Sequence, residues 1–309
     1  MKNKGHTATH DRGQSKEEVV LHTGDPLLRL LRPYSYLSPA LAVLVVFVVI
    51  PAIRIFVFSF QKHSFITEPA WIGLRNYGSL LAGGPFLMAL LNSFVYLLVT
   101  PILITLSLAV AFLLDGTLRG AKLFRGIYFL PVVTPIVVVG IIWRWILNED
   151  VGLLNYLLLA AGITSEKLPW LSVYPLNLIA VMGVTVWRGL GYYAVIFLAG
   201  LTAIPREIEE AASIDGASRL RILLHITIPQ LRPTIALVAV ISSISALKVF
   251  DELAIVLPGA PSAEKTLVPL IYQSAFLDFD LGAASAMSVV LFVLTLGFSL
   301  LNARFWREK

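Results

Sequence analysis

A charged stretch of thirty residues, IPREIEEAASIDGASRLRILLHITIPQLRP at positions 204–233, lies between two long apolar segments. Residues 208–212 have the composition of a short helix with small side chains on one side. Gly216 follows, and glycine adopts the positive φ that a sharp reversal between helices requires. Proline then marks where the chain leaves the stretch, at Pro229 and Pro233. Apolar residues recur before it at three- and four-residue steps, which predicts an amphipathic second helix: Leu220, Leu223, Leu224 and Ile228.

The composition predicts a membrane protein. Hydrophobic residues make up 57% of the 309 and charged residues only 14%, whereas a soluble domain needs roughly 25% charge to cover its surface. The chain has no cysteine, which excludes disulfides and thiolate metal sites. The apolar runs lack the alternation of membrane strands. The predicted fold is therefore all-α, a bundle of six transmembrane helices of roughly 20 residues or more, at residues 36–58, 87–114, 124–147, 174–201, 233–257 and 281–303.

The basic residues predict how the helices are oriented. Sixteen of the 24 lysines and arginines fall in the N-terminal stretch and in the connections after the second, fourth and sixth segments. Because cytoplasmic loops carry the excess of basic residues, both termini and residues 204–232 are expected in the cytoplasm. Residues 1–33 are then a cytosolic tail, 34–305 a transmembrane domain and 306–309 a cytosolic end. On the other side, residues 148–163 predict a short helix in the membrane interface.

Residues 210–229 resemble the cytoplasmic coupling loop of ATP-binding-cassette (ABC) importer permeases. That pattern begins Glu-Ala-Ala, continues Asp-Gly-Ala and ends Ile-x-Leu-Pro. Ile228 replaces the usual leucine, and Leu223 stands where phenylalanine is common. The residues that match are Glu210, Ala211, Ala212, Asp215, Gly216, Ala217, Ile226 and Pro229.

The resemblance extends to the carbohydrate-importing, maltose-type branch of these permeases. It rests on FLP at 129–131, GLLNYLL at 152–158 and two longer stretches at 198–212 and 248–261, and it covers about residues 35–305. The chain departs from the family at 257–261, where LPGAP replaces the common Thr-Gly-Gly-Pro. The resemblance implies a type I importer permease fold in the bacterial cytoplasmic (inner) membrane.

The resemblance also implies partners and a division of labour. No G-x-x-x-x-G-K-[ST] phosphate loop occurs in the sequence, so the chain is expected to be no enzyme and to hold no cofactor, with ATP and Mg²⁺ bound by two partner ATPase subunits. A second homologous permease subunit, an extracytoplasmic solute-binding protein and membrane lipid complete the expected partners, without nucleic acid. The expected ATPase-coupling residues are Glu210, Ala211, Ala212, Asp215, Gly216, Ala217, Arg219, Ile226 and Pro229.

Charged residues at bilayer depth are costly and mark either a polar path or internal ion pairs. Lys248, Asp251 and Glu252 would share a face of one helix, because they are three and four residues apart. In one interpretation these polar residues contact the hydroxyls of a sugar. In the other, Lys248 pairs with a carboxylate of its own helix and Arg188 with a carboxylate of the partner permease. Asn92 then packs within the bundle. The candidates for a substrate path are Arg188, Trp187, Tyr192, Lys248, Asp251, Glu252 and Asn92.

Three alternatives remain at this stage. A polyol or glycerol phosphate is one alternative cargo, since Arg188 and Lys248 would suit a phosphate. An ion-coupled secondary transporter using Arg188 and Asp251 is another. A membrane enzyme or scaffold is the third, although no catalytic constellation supports it, and the histidines show no metal-binding spacing.

Overall fold

The computed structural model describes residues 36–64, 68–115 and 121–307, so the predicted tail at 1–33 lies outside the described residues. The chain divides into two compact units, residues up to Ala52 and residues from Ile53 onward. Helix α1 spans Tyr36–Phe58 and contains a π-helical turn at Val45–Val49. Its bounds are those that the apolar run predicts.

The second unit is a helical bundle with one small hairpin, in which strand Gln61–Lys62 (β1) pairs antiparallel with Ala70–Trp71 (β2). Helix Gly84–Tyr96 is separated from the next helix, Val99–Asp115, by only two residues. Helix Arg219–Gln230 contains a π-helical turn. The helices are Arg75–Ala82 (α2), Gly84–Tyr96 (α3), Val99–Asp115 (α4), Ala121–Val133 (α5), Ile136–Ile146 (α6), Leu153–Ala160 (α7), Leu176–Thr202 (α8), Arg206–Ile214 (α9), Arg219–Gln230 (α10), Arg232–Leu247 (α11), Asp251–Val256 (α12), Leu267–Phe276 (α13) and Leu281–Arg307 (α14).

Four described helical stretches are long and apolar enough to cross a membrane, and six are if each of two sharply bent pairs counts as one span. The predictions at 36–58, 174–201 and 281–303 each correspond to one continuous helix. The prediction at 87–114 falls within residues 84–115, where α3 and α4 follow each other. The short helix predicted within 148–163 is present as α7, and its location in the membrane interface stays a prediction.

The prediction of one continuous helix at 124–147 is wrong. Helices α5 and α6 meet at an angle of 104°, and the turn lies at Thr134 and Pro135. Pro131 and Pro135 each remove a backbone donor from the helical ladder, and a residue before proline is driven toward extended backbone. Pro131 lies within the last turn of α5, and Pro135 precedes the first residue of α6, so the break between the two helices falls at Pro135.

The prediction of one helix at 233–257 is also wrong. Helix α11 ends before Lys248, and α12 begins at Asp251 after an irregular Phe250 with φ −137° and ψ −57°. Lys248, Asp251 and Glu252 consequently do not lie on one helical face. The charges agree with this break, because cations favour helix C-termini and carboxylates favour N-termini.

The core of the second unit forms where α4, α8 and α11 pack together, with Tyr96, Phe197 and Val238 fully enclosed. Helix α5, the first arm of the bent pair, approaches α8 of this core at a glycine. A Cβ at Gly191 of α8 would lie 1.8 Å from the carbonyl oxygen of Tyr128 on α5. Close backbone approach at this position is what fixes α5 beside α8.

Candidate functional site

A cavity of about 320 Å³ lies between α4, α5, α8, α11 and the start of α12. This volume is at the lower end of the roughly 300–1,000 Å³ common for ligand sites. Apolar side chains from Val99, Leu103 and Val132 form part of its wall. Its polar lining residues are Thr185, Arg188, Tyr192, Tyr193, Ser242, Ser245 and Glu252.

Arg188 and Glu252 form an ion pair at the wall of this cavity. The Nη1 atom of Arg188 donates to Oε1 of Glu252 at 2.8 Å. The Arg188 side chain is 33% exposed and that of Glu252 only 11%. The Nε atom of Arg188 is buried and has no hydrogen-bond partner among the described residues. The carboxylate that pairs with Arg188 in this structure comes from its own chain; pairing with the partner permease stays a prediction.

Lys248 and Asp251 lie outside the cavity lining, and both are exposed. Within the described part of the chain no ion pair joins Lys248 to Asp251 or Glu252, so the predicted pairing of Lys248 is wrong. Its physical reason is the break between α11 and α12, which removes the helical spacing that would bring the three side chains together.

Of the two predicted aromatic residues, one lines the cavity and the other does not. Tyr192 lines the cavity and is 41% exposed, with its ring 5.1 Å from that of Tyr193 in an edge-on arrangement. Trp187 does not line the cavity. Its ring instead packs edge-on against Trp143 at 5.4 Å. Of the two predicted residues Tyr192 and Trp187, only Tyr192 is therefore placed to touch a molecule in the cavity.

Asn92 is fully buried at a distance from this cavity and joins three segments. Its Nδ2 donates to the carbonyl oxygens of Glu264 at 2.9 Å and Lys265 at 3.0 Å. Its Oδ1 accepts from the Tyr174 hydroxyl at 2.9 Å. The geometry gives Asn92 a packing role that holds the connection between α12 and α13 against α3.

Four polar lining residues are absent from the sequence-based candidates: Thr185, Tyr193, Ser242 and Ser245. Each lies three or four residues along its helix from another lining residue, such as Thr185 and Tyr193 from Arg188 and Gly189. Helical spacing around Arg188 could have located the members on α8. Ser242 and Ser245 give no comparable signal, because no charge marks α11 there.

The charged stretch forms an elbow between α9 and α10. Gly216 has φ +79°, with open space around its Cβ position. Its N–H donates to the Ser213 carbonyl at 3.1 Å, and the Ala217 N–H donates to the Ala212 carbonyl at 3.0 Å. These are the two hydrogen bonds of a Schellman helix end, which requires the left-handed residue that glycine supplies. The next helix begins at once, because the Ser218 side chain accepts from the Arg221 N–H at 3.4 Å.

Most of the predicted coupling residues face away from the bundle. Glu210, Ala211, Asp215, Gly216 and Arg219 are exposed. Ala212, Ala217, Ile226 and Pro229 are half-buried.

Two further features of the elbow give no motif signal. Ile214 and Leu220 beside Gly216 are 87% and 65% exposed, which leaves an apolar tip. The Thr227 hydroxyl donates to Oε1 of Glu209 at 2.8 Å and so ties α10 to α9. The elbow is thus a braced projection with an apolar end. Within the part of the chain that the structure describes, no group of three or more His, Asp and Glu side chains could hold a metal ion.

Comparison with known proteins supplies the family. The sequence profile of the family described as binding-protein-dependent transport system inner membrane component matches residues 103–307. The chain is similar to the probable ABC transporter permease protein YurN of Bacillus subtilis, with 34% identity over 89% of this chain and 96% of the relative. It is similar to the trehalose/maltose transport system permease protein MalF of Thermococcus litoralis, with 31% identity over 89% and 94%.

A solved structure has the same fold. It is a bacterial alginate ABC transporter in complex with an alginate pentasaccharide-bound periplasmic protein, whose matching chain has a TM-score of 0.79 at 21% identity over 91% of this chain and 96% of that chain. The profile match covers more than half of the chain, and the fold agrees over most of it. The chain belongs to the family of binding-protein-dependent transport system inner membrane components, the multi-pass permease subunits of ABC transporters.

Proposed function

We propose that this chain is a permease subunit of an ABC importer that carries a carbohydrate across the bacterial cytoplasmic membrane. The observation that carries the proposal is the braced elbow at Gly216, which presents the matching Glu-Ala-Ala and Asp-Gly-Ala residues on an exposed tip. A relative at 31% identity is a trehalose/maltose permease, which supports a carbohydrate as the cargo.

The proposed topology has six spans with both termini in the cytoplasm. The bent pair α5 and α6 then counts as one span, and α11, which follows the elbow, carries the fifth. The excess of lysine and arginine in the N-terminal stretch and around the elbow supports this orientation. It places the elbow in the cytoplasm and the connections around α7 and α13 on the outer side.

Two partner ATPase subunits bind ATP and Mg²⁺ and drive the cycle, while this chain is no enzyme. One of them receives the elbow, with Ala211 and Gly216 allowing close approach and Ile214 providing an apolar contact. Closure of the ATPase pair moves the elbow as a rigid body, since the Glu209–Thr227 hydrogen bond fixes α10 to α9. A second homologous permease subunit and an extracytoplasmic solute-binding protein complete the assembly.

The cavity beside Arg188 is the proposed solute path within this subunit. Its hydroxyl groups, two tyrosine rings and one guanidinium suit a polyhydroxyl molecule, which needs donors, acceptors and flat apolar surfaces together. Lys248 lies outside the lining, so the pair of cations that favoured a phosphorylated cargo is not assembled there. Asp251 lies outside as well, which removes the coupling carboxylate of the ion-driven alternative.

The proposal is tested in vesicles that contain the transporter purified from its native membrane. Because the chain has no cysteine, Ala211→Cys provides a single thiol at the elbow, and Gly162→Cys provides the matched thiol on the proposed outer side. We expect a short thiol cross-linker to join Ala211→Cys, but not Gly162→Cys, to an ATPase subunit. Sugar uptake should require ATP. Uptake driven by an ion gradient without ATPase subunits, or no cross-link from Ala211→Cys, would contradict the proposal.

A further inference from the structure

The cavity beside Arg188 has a balanced charge. Of the described residues that line it, Arg188 and Glu252 alone carry a formal charge. They form an ion pair at 2.8 Å, so the guanidinium and the carboxylate compensate each other. The other polar groups of the lining are hydroxyls, from Thr185, Tyr192, Tyr193, Ser242 and Ser245.

The balance depends on a single side chain. Asp251, the next carboxylate, is exposed and lies outside the lining. Lys248 is likewise exposed and outside it. Removal of the Glu252 charge would therefore leave the Arg188 guanidinium uncompensated at the cavity wall. A free guanidinium binds carboxylates and phosphates through two parallel hydrogen bonds.

We infer that Glu252 sets the charge selectivity of the path: it neutralises Arg188, so that the cavity admits uncharged polyhydroxyl solutes and does not retain anionic sugars. Arg188 still has N–H donors to offer, because the ion pair engages its Nη1 and the side chain is 33% exposed. A sugar hydroxyl can accept from an exposed N–H of the guanidinium without disturbing the ion pair. The inference rests on the proposed role of the cavity as part of the solute path and adds the class of solute.

The size of the effect follows from Coulomb's law. A unit charge roughly 6 Å away changes the local concentration of a monovalent ion about 3-fold at the dielectric constant of water and about 100-fold at an effective value of 20. Removing the Glu252 charge raises the concentration of an anion in the cavity and lowers that of a cation by the same factor. The ratio of anion to cation reactivity in the cavity should then rise by at least about tenfold.

The experiment uses the full transporter with Ser245→Cys as its single thiol on this chain, since the chain has no cysteine of its own. The rates of modification are measured with two methanethiosulfonate reagents, one carrying a sulfonate and one a trimethylammonium group. The sulfonate-to-ammonium ratio is compared in the parent, in Glu252→Gln and in Asp251→Asn. Glutamine keeps an acceptor for Arg188, and Asp251→Asn removes the same charge one residue away but outside the cavity.

We expect the ratio to rise at least about tenfold in Glu252→Gln, to stay within about threefold of the parent in Asp251→Asn, and to fall in Arg188→Gln. Glucuronate should slow modification in Glu252→Gln but not in the parent, whereas glucose should act alike in both. An unchanged ratio in Glu252→Gln, an equal rise in Asp251→Asn, or strong protection of the parent by glucuronate would overturn the inference. So would a thiol that stays unreactive at both Ser245→Cys and Thr185→Cys.

The outcome is separable from that of the proposed function. ATP-dependent uptake in vesicles that contain the unsubstituted transporter tests the importer assignment directly. If uptake is present but the reagent ratio ignores Glu252, the inference alone is wrong. If the ratio responds but no ATP-dependent uptake occurs, the importer assignment is wrong and the charge balance of the cavity stands.

Discussion

Arg188 of α8 and Glu252 of α12 lie 64 residues apart in sequence and are joined by a hydrogen-bonded ion pair of 2.8 Å. The contact joins α12, which follows the break after α11, to α8, and it holds this short helix against the longest helix of the core. α12 has only six residues, too few to be stable alone. Its position therefore depends on such contacts as much as on its own hydrogen bonds.

Breaking this pair from one side should cost more stability than removing it altogether. Glu252→Leu leaves the guanidinium without a carboxylate, and we expect a loss of about 2 kcal/mol, below the roughly 3–5 kcal/mol of fully buried pairs because Arg188 is partly exposed. The double variant Arg188→Met with Glu252→Leu should recover part of that loss. Thermal unfolding of the purified proteins in one detergent measures both. A double variant less stable than either single one contradicts the expectation.

Gly191 should tolerate no side chain. Its Cβ position lies 1.8 Å from the Tyr128 carbonyl oxygen, and backbone cannot move aside as a side-chain end can. Gly191→Ala should therefore separate α5 from α8 and destabilise the protein by roughly 1–3 kcal/mol, as overpacking does.

Gly183 is the matched control on the same helix, because no other described residue comes within 4 Å of its Cβ position. Gly183→Ala should be neutral or stabilising by up to about 1 kcal/mol, since alanine is the better helix former. The melting temperatures of Gly191→Ala and Gly183→Ala, measured under the same conditions, test this difference. Equal effects of the two substitutions would show that the close approach of α5 is unimportant.

Asn92 should stabilise the connection between α12 and α13. Asn92→Leu removes the hydrogen bonds to Glu264, Lys265 and Tyr174 and leaves buried carbonyls unpaired, each at a cost of about 1–3 kcal/mol. We expect faster proteolysis and faster hydrogen exchange at residues 258–266 in particular. Tyr174→Phe removes only one of these bonds and should give a smaller change in the same direction. A uniform loss of protection over the whole chain would contradict the local role.

Lys265 should oppose folding at neutral pH. Its side chain is buried in the connection between α12 and α13, and desolvation lowers its pKa below the ordinary value of 10.5. The folded state then binds fewer protons than the unfolded state between the two pKa values, so stability rises with pH across that window. Lys265→Met should melt higher than the parent at pH 7, and the difference should shrink toward pH 10. Lys248→Met, at an exposed lysine, should show no such trend; a constant advantage of Lys265→Met would refute the explanation.

Local chemistry predicted the helices and the elbow better than it predicted their breaks. Apolar length located α1, α8 and α14, and Gly216 located the reversal between α9 and α10. The break at Thr134 and Pro135 was readable from two prolines, yet a 104° turn is set by what each arm packs against. The pairing of Arg188 with Glu252 could not be read from spacing, because it joins residues on two helices and depends on the break before Asp251.

Gly216 should be indispensable for coupling but not for insertion. A bulky residue there must adopt φ +79°, which costs roughly 1 kcal/mol or more for non-glycine residues, and it would hold the ATPase away from Ala211 and Ala212. We expect Gly216→Trp to reach the membrane in normal amounts and to lose most of its ATP-dependent uptake. Gly162→Trp imposes a similar φ of +66° in open space after α7, on the proposed outer side, and should keep its ATPase cross-link from Ala211→Cys. Normal uptake by Gly216→Trp would show that force reaches the bundle by another contact.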